Sequence, residues 1–257
     1  MIPYNTITAW SVNHPWTTRE QVEQDLLLSK AICDIFNHES LSKELVFRGG
    51  TALHKLILEE PYRYSEDLDF VRVNPGGIGG LMKELTELGN KTGYLVKTRI
   101  GKFPKLYWQT KAQTGLNLRI KIEINTYERF SALPLKIIKH DIQTEWFTGT
   151  SDVVTFQFEE IAATKLRALF QRTKGRDLFD LWLLTTEVGV DTSIVNEAFS
   201  VYRPEGYTGK KAIINLREKL NNPTFNSDIK NLISANVKNY YPNEAAEIII
   251  NEYLSKL

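Results

Sequence analysis

The hydrophobic pattern changes near residue 150, and this change constrains the fold more than any other sequence feature. Before it, strand patterns alternate with helix patterns, and the clearest strand, 116–125, puts aliphatic side chains on one face and polar ones on the other. After about residue 155 only helix patterns occur. We therefore predict an α/β (α+β) fold. Residues 1–150 form an α/β domain with a mixed central sheet, and 151–257 form a helical domain that completes the substrate cleft.

The individual elements follow from periodicity, capping residues and helix breakers. A capping box at Thr18 begins the first predicted helix, and Pro61 stops the helix that follows the first strand. Strands are predicted at 45–48, 67–73, 94–100, 105–110 and 116–125. Helices are predicted at 18–36, 51–58, 81–88, 159–172, 177–188, 192–200, 210–220, 227–237 and 243–257.

Composition excludes several classes of protein. The hydrophobic share of 42% and charged share of 25% are typical of a globular protein. Cys33 is the one cysteine, which rules out an intrachain disulfide or a zinc cluster. The start of the chain lacks the pattern of a signal peptide, and no apolar run approaches the ~20 residues of a membrane span. We expect a cytoplasmic protein that makes no use of a membrane.

A strand-to-helix turn at Arg48-Gly49-Gly50-Thr51 is the first candidate functional element. Two glycines let the backbone approach a ligand closely, so that N–H groups converge on an anion at a helix N-terminus. Many Gly-Gly turns serve only as turns, and this alternative remains open from the turn alone.

Paired carboxylates form the second candidate. Asp67 and Asp69 lie two apart on a predicted strand, so both project from one face and repel each other unless a cation lies between them. Hard divalent ions such as Mg²⁺ prefer such oxygen ligands. Glu123, in mid-strand, is a candidate third ligand if its strand lies alongside, and the alternative is an ion pair with a lysine on a neighbouring strand.

The third candidate lies in the helical half. Lys165 is placed to neutralise phosphate charge, and Asp177 or Asp180 on the next helix is placed to hold it or to assist proton transfer. A helix cap is the alternative role for Asp177.

The net charge of +1 conceals a strong segregation of charge. No acidic residue occurs from 88 to 122, and aromatic residues are interleaved with the basic ones. Such a stretch attracts polyanions, although solvated lysines on hairpins give the same pattern. The basic residues are Lys91, Lys97, Arg99, Lys102, Lys105, Lys111, Arg119 and Lys121, and the aromatic ones are Tyr94, Phe103, Tyr107 and Trp108.

These motifs occur in a recognisable order. Phe-Arg-Gly-Gly-Thr-Ala-Leu-His-Lys, then Arg-Tyr-Ser-Glu-Asp-Leu-Asp-Phe, then Lys165 and Arg-Asp-Leu-Phe-Asp resemble the AbiEii/AbiGii toxin family, which includes MenT-type toxins. That family belongs to the DNA polymerase β-like nucleotidyltransferase superfamily. The resemblance extends from about residue 30 to 185. The spacing from the glycines to the carboxylates is longer than in the minimal superfamily pattern but is similar to this branch.

The resemblance implies roles for the residues that match. It assigns nucleotide binding to Gly49, Gly50, Thr51, Arg63, Ser65 and Lys165, metal binding to Asp67, Asp69 and Glu123, and catalysis to Asp67, Asp69, Lys165, Asp177 and Asp180. It further implies transfer of a nucleoside monophosphate from an NTP with Mg²⁺, or Mn²⁺, as cofactor. The implied biological role is the toxin of a toxin–antitoxin or phage-defence system, with a cognate antitoxin encoded nearby.

The acceptor is left open by the motifs. An RNA, such as the 3′ end of tRNA, suits the basic strands. A protein hydroxyl or a small molecule such as an aminoglycoside is the enzymatic alternative. A non-catalytic regulator that binds nucleotide or RNA is the alternative from another class.

Overall fold

All 257 residues are described in a computed structural model, and the chain divides into two compact units. The first unit contains Met1–Phe130 and Leu135–Phe156, and the second contains Ser131–Pro134 and Gln157–Leu257. No helix is both long enough and apolar enough to cross a membrane.

A mixed seven-stranded sheet forms the centre of the first unit, which confirms the predicted α/β class. Its strands are β1 (Leu45–Arg48), β2 (Asp67–Arg72), β3 (Leu95–Arg99), β4 (Lys105–Lys111), β5 (Asn117–Asn125), β6 (Lys136–Gln143) and β7 (Thr148–Thr155), in the order β3-β4-β5-β2-β1-β7-β6. The β2–β5 and β1–β7 pairs are parallel, and the other neighbouring pairs are antiparallel. Strand β2 therefore lies in the middle of the sheet.

Helices α1 (Tyr4–Asn13), α2 (Arg19–Phe36), α3 (Glu39–Glu44), α4 (Gly49–Ala52) and α5 (Gly79–Lys91) complete this unit. The predicted capping box of α2 is present, with Thr18 and Gln21 exchanging hydrogen bonds. Helix α2 buries its apolar side chains against the sheet in one continuous core. Burial of the large aliphatic and aromatic side chains of this core stabilises the unit.

Six helices and a short 3₁₀ turn, Leu254–Lys256, make up the second unit, as the loss of strand patterns predicted. They are α6 (Phe158–Gln171), α7 (Gly175–Thr186), α8 (Thr192–Tyr202), α9 (Gly209–Leu220), α10 (Pro223–Asp228) and α11 (Pro242–Glu252).

Two helix predictions need correction, and four elements were missed. The helix predicted at 227–237 is instead the short α10, because the Asn222 side chain caps Thr224 and Pro223 occupies the first turn, so the helix begins and ends earlier. The helix predicted at 51–58 begins at Gly49 and changes after Ala52 into a π-helical turn, Leu53–Ile57. Helices α1 and α3 and strands β6 and β7 were not predicted at all.

Candidate active site

Strand β2 carries the paired carboxylates in the middle of the sheet. Leu68 and Phe70 point into the core and are fully buried, so the alternating pleat directs Asp67 and Asp69 to the opposite face. The side chain of Asp67 remains 37% exposed. The β1–β2 register places Arg48, the last residue before the glycines, directly opposite Asp69. The carboxylates and the Gly-Gly turn therefore meet at one edge of the same face.

Strand β5 runs parallel to β2 and brings Glu123 to this face. Asp69 lies opposite Glu123, and Asp67 lies opposite Lys121. The ammonium of Lys121 is 2.6 Å from an Asp67 oxygen and 3.6 Å from a Glu123 oxygen. Glu123 also pairs with Lys105 at 2.8 Å across the β4–β5 ladder, so the ion pair considered as its alternative role is present.

The electrostatics of this face favour an added cation. Desolvation raises the pKa of the Asp69 carboxyl, the Asp67 charge raises it further, and the Lys121 charge acts in the opposite direction. No group of three or more carboxylate, imidazole or thiol side chains is preassembled as a metal site. Three hard oxygen donors nonetheless share one face, with Lys121 as the cation between two of them. The donor set suits Mg²⁺ or Mn²⁺.

The Gly49–Gly50 turn packs directly on the carboxylate face. Gly49 has φ +84°, and a Cβ built on it would lie 2.6 Å from Oδ2 of Asp69. A Cβ on Gly50 would collide with the guanidinium of Arg63 and lie 3.2 Å from the Ser65 hydroxyl. Gly49 needs glycine because its φ is positive, and a side chain on Gly50 would require the Arg63 guanidinium to move.

Thr51 links the turn to the strand that carries the carboxylates. Its hydroxyl is 2.8 Å from the Ser65 hydroxyl and donates to the Asp67 carbonyl. Arg63 is buried and donates to the Tyr64 carbonyl at 3.0 Å. The five first-unit residues predicted to bind nucleotide are thus brought together in the structure, beside Asp67 and Asp69.

A cavity of about 400 Å³ opens beside these residues, and Thr51, Arg63 and Ser65 line part of it. Its volume lies in the usual range for small-molecule sites. Trp10 and His14, stacked with ring centroids 4.0 Å apart, form another part of the wall. Burial lowers the pKa of His14 to about 4, so this stack is uncharged at neutral pH.

The second unit contains a separate charged cluster, built by α6 and α7. The Lys165 ammonium lies 2.5 Å from Asp180 and 3.4 Å from Asp177, and both carboxylates are fully buried. Arg172 adds two hydrogen bonds to Asp177, at 2.6 and 2.7 Å. The structure therefore brings together the three residues predicted here. Asp177 does not cap α7, whose N-cap is Lys174 without a side-chain bond.

The charge state of Asp177 follows from these contacts. Burial alone would raise the pKa of its carboxyl, but the nearby Lys165 and Arg172 outweigh burial and hold the pKa below its usual value. The Asp177 carboxylate is therefore held in its ionised form by ion pairs that lie within the helical unit.

Two residues of these clusters were not assigned roles from the sequence. Lys121 was counted only as part of the basic stretch, because its position opposite Asp67 depends on the β2–β5 pairing. Arg172 was given no role, because its bidentate contact with Asp177 depends on how α6 and α7 pack. The one signal in the sequence for this role of Lys121 was its position two residues before Glu123 on the same predicted strand.

Several solved structures resemble the chain, among them three with 18% sequence identity each. The toxin MenT4 from Mycobacterium tuberculosis, a nucleotidyltransferase, aligns with TM-score 0.72 over 100% of this chain and 91% of its own. An H. pylori protein assigned as a nucleotidyltransferase aligns with TM-score 0.52 over 93% and 98% of the two chains. An antigenic nucleotidyltransferase-like protein from Paracoccidioides brasiliensis aligns with TM-score 0.50 over 83% and 94%. No curated protein matches the sequence. The fold is that of the nucleotidyltransferases.

The family is defined by the sequence itself. Residues 30–247 match the model of the nucleotidyl transferase AbiEii toxin of type IV toxin–antitoxin systems. The chain belongs to this family of nucleotidyltransferase toxins, which confirms the resemblance seen in the ordered motifs.

Proposed function

We propose that the protein transfers a nucleoside monophosphate from an NTP to a terminal hydroxyl of RNA, such as the tRNA 3′ end, and releases pyrophosphate. The observation that carries this proposal is the strand register. Asp67, Asp69 and Glu123 share one sheet face, and that face continues into the basic strands β4 and β3. A phosphate-activating site and a polyanion-binding surface are thereby adjacent in one unit.

The NTP part of the proposal rests on the Gly49–Gly50 turn. Backbone N–H groups at a helix start favour phosphate oxygens, and the guanidinium of buried Arg63 lies beside them, next to the Thr51 and Ser65 hydroxyls. The neighbouring cavity is large enough for the nucleoside or part of it. We assign Lys165 to neutralisation of triphosphate charge, with Asp177 and Asp180 holding its ammonium.

Asp67, Asp69 and Glu123 are the residues that would hold Mg²⁺, or Mn²⁺ in its place. When bound, the ion supplies neutralisation of triphosphate charge and a template for in-line displacement. Lys121 pairs with Asp67 and Glu123 and so offsets part of the negative charge of these carboxylates.

The acceptor part rests on the exposed face of β3, β4 and β5. Paired residues of these strands share a face, and Lys97, Tyr107, Lys121 and Asp67 form one such row across the sheet. Arg99, Lys105, Glu123 and Asp69 form the next. Lysine and arginine in rows that end at the carboxylates suit an RNA whose end reaches Asp67 and Asp69.

The biological role is proposed from the family. A toxin that modifies tRNA would arrest translation and growth, and a cognate antitoxin encoded nearby would restrain it. Such a pair would serve in phage defence, and the substrate would be met in the cytoplasm.

One experiment tests the proposal directly. The protein is incubated with each labelled NTP, Mg²⁺ and total cellular RNA, beside an Asp67→Asn/Asp69→Asn variant and an Asp152→Asn control, whose carboxylate is exposed on β7. We expect label in a tRNA-sized band with the wild type and the control, and at least a 100-fold loss in the double variant, as for loss of a key electrostatic group. Label on protein alone, or none with any NTP, would contradict an RNA acceptor.

A further inference from the structure

Two exposed aromatic rings lie together beyond the end of β5. Phe103 is 37% exposed and Tyr127 is 63% exposed, and their ring centroids are 5.9 Å apart at an interplanar angle of 73°. The Lys102 ammonium lies over both rings, 5.7 Å from the centroid of Phe103 and 5.9 Å from that of Tyr127. Aromatic surface is usually withdrawn from water, so a paired, exposed cluster points to a ligand.

The backbone fixes both rings close to the carboxylate face. Phe103 precedes Pro104, whose carbonyl accepts from Ile124 N–H at 3.0 Å, next to Glu123. The Asn125 side chain accepts from the N–H groups of Tyr127 and Glu128, at 2.9 and 3.1 Å. This local turn holds the Tyr127 ring beside the end of β5.

A second set of contacts ties the Tyr127 turn to the glycines. The Glu128 carboxylate accepts from the Asn125 amide at 2.9 Å and lies 3.7 Å from the guanidinium of Arg48. Arg48 immediately precedes Gly49, whose backbone packs on the Asp69 carboxylate. The aromatic pair is thus connected to the site through one turn and one ion pair rather than through a long loop.

The charges around the rings select the kind of ligand. Lys102, Arg99 and Lys105 lie in the stretch without acidic residues, while Glu128 is engaged by Arg48 and Asn125. Arg129 donates to the carbonyls of Thr126 and Asn74 and adds positive charge. A cation above open rings matches a base flanked by phosphate, because every base has a stacking face and every phosphate a negative charge.

We propose that Phe103, Tyr127 and Lys102 form a stacking platform for an unpaired nucleobase of the RNA acceptor. The inference rests on the proposed function and deepens it, because it makes the acceptor a single-stranded end rather than a duplex. A base stacked on the face of one ring and in contact with the edge of the other, with its phosphate beside Lys102, holds the terminal hydroxyl near Asp67 and Asp69. The platform does not distinguish between bases, so binding at it tolerates different RNA sequences.

The test measures RNA binding and transfer separately. A 5′-labelled single-stranded 12-nucleotide RNA with a free 3′ hydroxyl is titrated by fluorescence anisotropy, and the KM values for RNA and NTP are measured by label transfer. Phe103→Ala and Tyr127→Ala should each weaken RNA binding and raise the RNA KM about 5- to 150-fold, with the NTP KM unchanged. Phe103→Tyr and Tyr127→Phe should retain wild-type values. Tyr241→Ala, which removes a 56% exposed ring elsewhere, is the matched control.

The outcomes separate this inference from the proposed function. Transfer to RNA with the same RNA KM in both alanine variants would overturn the platform and leave the function intact. RNA binding that depends on both rings, without any transfer by the wild type, would support the platform and overturn the function. Unchanged RNA affinity with an altered oligomeric state in gel filtration would assign the rings to contact between copies of the chain, and would also overturn the platform.

Discussion

At the scale of single residues, the Gly49–Gly50 turn depends on two separate physical requirements. Gly49 has a positive φ, and it also leaves no room for a Cβ beside Asp69. The first requirement concerns the backbone and the second concerns the site. The chain offers a glycine that meets the first alone: Gly115 has φ +83° and nothing within 4 Å of a built Cβ.

Gly49→Ala and Gly115→Ala are therefore expected to lose similar amounts of stability but to differ in NTP binding. Both should lose about 1–2 kcal/mol of unfolding free energy, because alanine is strained at positive φ. Only Gly49→Ala should also displace the Asp69 carboxylate and weaken NTP binding, by at least 10-fold. Urea unfolding and calorimetric titration with a non-hydrolysable NTP in Mg²⁺ measure the two effects. Equal NTP affinity in the two variants would show that the Gly49 contact has no role in the site.

At the scale of elements, the pairing of α6 with α7 depends on a buried charge network. Lys165 neutralises Asp180 directly and shares Asp177 with Arg172, whose side chain is half exposed. The lowered pKa of Asp177 means that its ionised form is stabilised by folding. Its contribution is complete above the unfolded-state pKa, close to 3.9, and is lost as the pH falls through the lower folded-state pKa.

Arg172→Gln should reduce stability in a pH-dependent way. At pH 7 we expect a loss of about 1–2 kcal/mol, discounted for the exposure of the guanidinium. The folded-state pKa of Asp177 should rise towards its ordinary value in the variant, so the difference in stability between variant and wild type should narrow as the pH falls below about 4. Urea unfolding at pH 7, 5 and 3 measures this difference. Arg217→Gln, which removes an exposed pair with Glu247, should change stability by less than about 0.5 kcal/mol at each pH. If the difference in unfolding free energy between Arg172→Gln and wild type is the same at every pH, Arg172 does not stabilise the ionised form of Asp177.

The same scale shows what the sequence could and could not predict. Strand β5 was predictable because Ile120, Ile122 and Ile124 alternate with polar residues. Strands β6 and β7 were missed because they lie at one side of the sheet and keep polar or exposed side chains, such as Ile137 at 65% exposure. The paired aspartates and glycines were visible as local motifs. Their contacts with Lys121 and Arg63 were not, because strand register and the Gly50 approach are tertiary features.

At the scale of the whole molecule, net charge is a poor guide to binding. Thirty-two basic residues nearly cancel 31 acidic ones, yet 88–122 has no acid, and this stretch contains β3 and β4. Strand β3 is an outer strand of the sheet, and its Lys97 and Arg99 are exposed on the rows that lead to Asp67 and Asp69. If RNA lies on this surface, each phosphate contact releases counterions and adds to the salt dependence of binding.

Lys97→Gln/Arg99→Gln should therefore weaken RNA binding most at low salt and make it less sensitive to salt. For single-stranded RNA the slope of log K against log salt should decrease in magnitude by about 1.4, because each lost phosphate contact contributes about 0.7. Sequence preference should not change, since phosphate contacts carry no base information. Anisotropy titrations from 50 to 300 mM salt measure the slope. Lys210→Gln/Lys211→Gln removes two charges that are also exposed, from α9, and is the matched control. Equal slopes in wild type and the β3 variant would place the RNA on another surface, whatever the activity of the carboxylate site.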